Sequence, residues 1–160
     1  MMPNGVLLDT SFFLRFLNED DPLFKYADGY FKYFLEKEIP MAISTISIAE
    51  YCVGGDIHEL PLRNLQVVPF NISHAKRTGE LAKLVFNNKN KLQLTNRNII
   101  PNDSKLFAQA DREPSIAYYL TSDAESKKIY DLLVAEGFRP QFQFMDLHTP
   151  FHEFFGLLDL

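Results

Sequence analysis

The alternation of short apolar runs with helical stretches constrains this chain more than any other feature of its sequence. Val6-Leu7-Leu8, Met41-Ala42-Ile43, Leu65-Gln66-Val67-Val68-Pro69-Phe70 and Ile116-Ala117-Tyr118-Tyr119-Leu120 are brief and largely apolar. Runs of this kind predict buried strands. Between them, apolar residues recur at spacings of three and four, which predicts amphipathic helices. These helices are expected over Thr10–Leu17, Leu23–Lys37, Ser44–Tyr51 (closed by Gly54-Gly55), Ser73–Phe86, Asn102–Asp111 and Asp123–Ala135. Gln141-Phe142-Gln143-Phe144 alternates as an edge strand does, and a short helix is expected after Pro150. Asn87 to Asn98 is polar, Asn-rich and free of acids, and predicts a loop. Strands separated by helices imply an α/β domain: a mostly parallel sheet covered on both faces.

With 160 residues and 46% apolar content, one domain over residues 1–160 is expected. No run is long and apolar enough to span a membrane, and the start lacks the basic and apolar segments of a signal peptide. The single cysteine, Cys52, cannot form an internal disulfide and is expected as a buried thiol. These features favour the cytoplasm. The net charge of −5 counts against a nucleic-acid binder, unless several acids gather bound cations and reverse the local potential.

Asp9 follows the first strand, Glu50 lies in the helix after the second, Asp103 opens the helix before the fourth, and Asp123 sits just past the fourth. Ligands of open parallel sheets bind beyond the carboxyl ends of the strands, where distant residues converge. Hard divalent cations want several oxygens, and clustered carboxylates raise one another's pKa unless a cation is present. Such a cluster suits phosphodiester hydrolysis. Each acid also has an ordinary structural role open to it. Asp9 and Asp123 are placed to cap helices, Ser47 and Glu50 have capping-box spacing, and Asp103 stands where it would favour a helix N-terminus.

The ordered motifs add a further argument. Val6-Leu7-Leu8-Asp9-Thr10-Ser11 resembles the opening motif of PIN domains. Ile43 to Tyr51 resembles their second motif, which delivers a Glu, and Asn102 to Ala110 resembles the third. Tyr119-Leu120-Thr121-Ser122-Asp123 resembles the fourth, and Thr149 to Phe154 resembles a Pro-led C-terminal helix common in VapC-type toxins. The resemblance implies a three-layer α/β/α sandwich with a mostly parallel five-stranded sheet. It implies an endoribonuclease that uses Mg2+ or Mn2+, held by Asp9, Glu50, Asp103 and Asp123. Thr121 and Ser11 would be supporting hydroxyls. In the VapC-like branch, a cognate antitoxin and a homodimer are implied as well.

Many members of the family that the chain resembles carry a further acid and an aromatic residue soon after the fourth motif. Here Glu125 stands as its replacement or as a helix cap. Asp146, after the last strand, competes for the acidic edge. Lys89, Lys91, Arg97 and Lys105 are candidate RNA contacts, with ordinary solvated lysines as the alternative. His148 and His152 stand four apart, but Pro150 lies between them. A haloacid-dehalogenase-like enzyme would need Asp-x-Asp, which Asp9-Thr10-Ser11 does not supply. The alternative to an enzyme is a non-catalytic RNA- or protein-binding module on the same fold.

Overall fold

The computed structural model describes residues 3–88 and 99–157. Its strands are β1 (Gly5–Leu8), β2 (Met41–Ser44), β3 (Leu65–Val68), β4 (Ile116–Thr121) and β5 (Gln143–Asp146). They form one five-stranded sheet in the order β3-β2-β1-β4-β5, and every neighbouring pair is parallel. The helices are α1 (Thr10–Phe16), α2 (Phe24–Glu36), α3 (Thr45–Tyr51), α4 (Ile72–Asn87), α5 (Ile99–Arg112), α6 (Ala124–Ala135) and α7 (Phe151–Phe154).

Successive strand residues point to opposite faces, so the apolar runs feed two cores at once. Val6, Leu8, Met41, Ile43, Leu120 and Met145 pack on one face with Phe12, Phe13, Tyr30 and Phe34 of α1 and α2. Leu7, Ala42 and Tyr119 pack on the other with Leu81 and Val85 of α4, Phe107 of α5, and Ile129 of α6. The result is the expected three-layer α/β/α sandwich. A bulge sets the register of its centre: Gly5 pairs with Ile116 but Val6 pairs with Tyr118, so Ala117 is the extra residue. Gly5 lies in this tight spot, since a Cβ there would stand 2.7 Å from the Ser115 carbonyl oxygen.

Three helices end in the same way. After α6, the Phe138 N–H reaches the Leu133 carbonyl and the Gly137 N–H the Val134 carbonyl, with Gly137 at φ +105°. After α7, Leu157 and Gly156 repeat the pattern on His152 and Glu153, with Gly156 at φ +66°. This is the Schellman arrangement, which uses glycine for its left-handed residue. After α2, Ile39 and Glu38 bond Phe34 and Leu35 identically, but the left-handed residue is Glu38, at φ 55°.

Several boundaries differ from expectation. Strand β5 is shifted two residues along from the alternating Gln141–Phe144 segment, because pairing with β4 joins Tyr118 to Gln143 and Thr121 to Asp146. Helix α5 begins at Ile99 and takes Pro101 into its first turn, where a missing N–H costs nothing. Gly54 and Gly55 are not left-handed caps. The cap of α3 is Cys52, and the chain stays in a turn behind it, with the Gly55 N–H on the Tyr51 carbonyl. Cys52 is therefore exposed rather than buried. Of the expected Asn87–Asn98 loop, Asn87 closes α4 and Asn88 is its cap, while residues 89–98 lie outside the described residues.

Candidate functional site

The chain runs from β1 to β2 and β3 on one side, then returns to β4 and β5 on the other. The crevice beyond the carboxyl ends of β1 and β4 is thus the switch point where open sheets bind ligands. A cavity of about 220 Å³ lies there, and Asp9, Glu50, Asp103 and Asp123 all line it. Thr10, Ser11, Leu14, Asn102 and Leu106 complete its wall.

Asp9 caps α1, accepting the Phe12 N–H at 3.1 Å. It also accepts the Ser11 hydroxyl at 2.6 Å and the Thr121 hydroxyl at 2.5 Å. The Ser122 N–H donates back to Ser11 Oγ, and the Asp123 N–H to Thr121 Oγ1. These hydroxyls stitch the end of β1 to the end of β4. Asp123 caps α6 through the Glu125 N–H at 2.9 Å. For these two acids capping and cavity lining coincide.

The other two acids have no capping role. Ser44 caps α3, and the Glu50 side chain turns away to accept Thr10 Oγ1 at 3.1 Å and Asn102 Nδ2 at 3.4 Å. The expected Ser47–Glu50 capping box is absent because the helix starts earlier. Asp103 does not open its helix, since α5 begins at Ile99 and has no acid in its first turn. Its Oδ1 accepts Ser126 Oγ at 2.7 Å, and its Oδ2 is buried with no hydrogen-bond partner.

The electrostatics reflect this crowding. Burial pushes the Asp103 carboxyl up to about 8, with Asp123, Asp9 and Glu50 adding to the rise and Ser126 opposing it. Burial raises Asp9 to about 6, against the hydrogen bonds from Ser11, Thr121 and Phe12. Glu50 is raised by burial too, while Thr10, Asn102 and Lys105 favour its charged form. Tyr119 lies beneath the four acids, its hydroxyl buried without a partner and its ionisation opposed first by burial and then by all four.

Among the described residues, no three His, Cys, Asp or Glu side chains are gathered closely enough to ligate one ion as they stand. The donor set nonetheless fits a hard divalent cation: carboxylates, hydroxyls and an amide line one cavity, and one buried carboxylate oxygen lacks a partner.

No protein-family model matches the sequence, and no curated protein matches it. Solved structures do match. VapBC2 from Rickettsia felis, bound to a DNA fragment from its promoter, aligns with a TM-score of 0.56 and 20% identity, over 88% of this chain and 97% of that one. DNA-bound VapBC from Salmonella typhimurium gives 0.56 and 14%, over 92% and 99%. Mycobacterium tuberculosis VapC20, a Sarcin-Ricin loop cleaving toxin, gives 0.53 and 16%, over 84% and 97%. The chain has the VapC-like fold of PIN domains.

Within this VapC-like frame, Glu125 does not line the acidic cavity, and its Oε1 pairs with Lys128 at 3.4 Å. Asp146 is the last residue of β5 and faces an adjoining cleft, where its Oδ1 holds His148 Nδ1 at 2.7 Å. His152 lies on α7, beyond Pro150, so the two histidines do not share a helix. Lys105 is half-buried and stands near enough to Glu50 to favour its charge. Lys89, Lys91 and Arg97 lie outside the described residues. Thr10, Asn102 and Ser126 are site residues that sequence reasoning missed. Thr10 and Asn102 sit beside predicted ligands, which was a usable signal. Ser126 is the third residue of α6 and gave none.

Proposed function

We propose that this protein is a divalent-metal-dependent endoribonuclease hydrolysing RNA phosphodiester bonds, and the toxin of a type II toxin–antitoxin pair. The observation that carries this reading is the convergence of Asp9, Glu50, Asp103 and Asp123 on one cavity at the switch point of a VapC-like sheet. RNA as the substrate class is supported by the loop-cleaving neighbour of the same fold.

Bound Mg2+ or Mn2+ would supply a Lewis acid and an activated water for attack on the scissile phosphorus. The chain's own contribution is to hold and orient. Asp9 is fixed by three donors, so its remaining lone pairs are aimed. Asp103 would hold the cation through the oxygen that lacks a partner, as a deprotonated carboxylate. Glu50, steadied by Thr10 and Asn102, completes the set or orients water.

The test is cleavage of an RNA oligonucleotide by purified protein with Mn2+, with Mg2+ and with chelator. Cleavage is expected only with the cation, and is expected to vanish in a folded Asp9→Asn variant. Undiminished cation-dependent cleavage by that variant removes the proposal. An antitoxin covering the cavity is supported by Leu14, which lines it and is 55% exposed. The antitoxin and homodimer proposals are tested by co-purification with the product of an adjacent small reading frame, and by mass in solution. Among the described residues no helix is long and apolar enough to cross a membrane. The cytoplasm is the proposed compartment, which cell fractionation checks.

A second reading, a non-catalytic module on this fold, is favoured by one observation: the acids are not drawn together around a ligation point. Mn2+ titration separates the two readings. The enzyme binds Mn2+ and loses that binding when Asp123 is neutralised, whereas the module does not bind it.

A further inference from the structure

The acidic cavity does not end at Asp123. That residue also lines a second cleft of about 280 Å³, with Lys127, Lys128, Phe144 and His148 among its walls. Lys127 and Phe144 in turn line a third of about 440 Å³, which continues to Tyr130, Pro140 and Phe154. Shared residues therefore join three clefts into one path along the β5 edge of the sheet. We propose that this path is the track for the single-stranded RNA on one side of the scissile bond, with Phe144 and Tyr130 as its stacking platform and Lys127 as its phosphate contact. The proposal rests on the endoribonuclease reading above.

The chemistry of the path is what an unpaired strand needs: rings for bases, cations for phosphates, and tolerance of sequence. Phe144 and Tyr130 are partly exposed, with ring centroids 4.8 Å apart. Phe107, Phe142 and Tyr119 back them at 5.9–6.5 Å, so the platform is set by the core and does not need ordering on binding. The Lys127 ammonium lies 5.6 Å from the Phe144 ring centroid, close enough for one nucleotide to engage both.

Besides Asp123, Asp146 lines the path and Asp131 borders it through Lys127, and both of these are engaged. Asp131 holds Lys127 at 2.7 Å, and Asp146 holds His148 at 2.7 Å. The Lys127–Asp131 pair is solvent-exposed, with about half of each side chain accessible. Exposed pairs are worth little, so a phosphate displaces the carboxylate readily. The rival occupant is a segment of a partner protein laid along β5, and the two are separated below.

The experiment is fluorescence anisotropy of a labelled single-stranded RNA oligonucleotide in chelator, where no cleavage occurs, followed by steady-state cleavage with Mn2+. Phe144→Leu and Tyr130→Leu are each expected to weaken binding about tenfold, the usual scale for one lost stacking partner. They are expected to raise KM while leaving kcat near its original value. Lys127 is exposed, so Lys127→Gln guards against misfolding. It should weaken binding several-fold and lower the salt dependence by about one phosphate contact. Wild-type affinity and KM in Lys127→Gln and in folded Phe144→Leu would overturn the track, and would leave a protein segment as the occupant. Failure of the unaltered protein to bind RNA at all would overturn the endoribonuclease reading along with it.

Discussion

Two polar regions of this molecule are built on opposite plans. Along the seam between α4 and α5, charge meets opposite charge. Arg77 pairs with Asp111 at 3.0 Å and with Glu80 at 2.7 Å. His74, 1% exposed, accepts the Asn71 N–H on Nδ1 and engages Glu113 through Nε2 at 2.7 Å. What this seam leaves over is a neutral amide oxygen, Gln109 Oε1. At the carboxyl edge of the sheet, four acids face one cavity, and what is left over includes a carboxyl oxygen of Asp103. A buried carboxyl without a partner must keep its proton or bury a charge, a cost that an amide does not carry. The seam is therefore arranged for stability and the edge for something the chain does not itself supply.

The sharpest way to break this contrast is Asp103→Asn. It should reduce cation-dependent RNA cleavage by about a hundredfold or more, as loss of a metal ligand does. The same change should raise the melting temperature of metal-free protein at pH 8 by several degrees, because it removes a carboxyl that the fold holds protonated. A variant that loses both activity and stability would place Asp103 with the structural acids. His74→Ala should behave in the opposite sense. It strands the Glu113 carboxylate and the Asn71 N–H and opens a cavity, for a loss of about 2–4 kcal/mol in chemical denaturation.

The next effect is one of pH. Asp9 and Asp103 have folded-state values raised to about 6 and about 8 from 3.8. A raised value means the folded state keeps its proton longer than the unfolded state does. The stability linked to these groups is then fully present below about pH 4, and is lost as pH climbs through 6 and 8. Metal-free protein should melt at falling temperature from pH 5 to pH 8, and Mn2+ should flatten that slope. A slope unchanged by Mn2+ would mean that no cation reaches these acids. The smallest effect lies outside both regions. Glu38→Gly relieves the left-handed residue behind α2 and should add about 0.5–1 kcal/mol. It touches neither polar region, which makes it a baseline for the other three.

The centre of the sheet was legible because β1, β2 and β4 are short apolar runs covered on both faces, so no alternation was needed to see them. The edge strand was misplaced for the same reason in reverse. Gln141–Phe144 alternates, yet Phe142 is buried just before β5 begins, and Met145 and Asp146 belong to the strand. Pairing with β4 decided the register, and pairing is not local information. The helix expected from Asn102 starts earlier, at Ile99, with Pro101 in a first turn that accepts proline. For the site, positions were legible but roles were not. Spacing suggested a capping job for all four acids, and only the true starts of α3 and α5 separate Glu50 and Asp103 from Asp9 and Asp123.

That separation has a mechanical side. Asp9 and Asp123 are anchored to adjacent strands, and Thr121 Oγ1 locks them together by donating to one carboxylate and accepting the other residue's N–H. Glu50 sits in the last turn of α3 and Asp103 in α5, away from any strand. The cavity thus has a floor of fixed dimension and walls that can travel. A guest of any radius must be met by movement of α3 and α5 rather than of the sheet. Hydrogen exchange on loading should slow in those two helices and stay unchanged in β1 and β4.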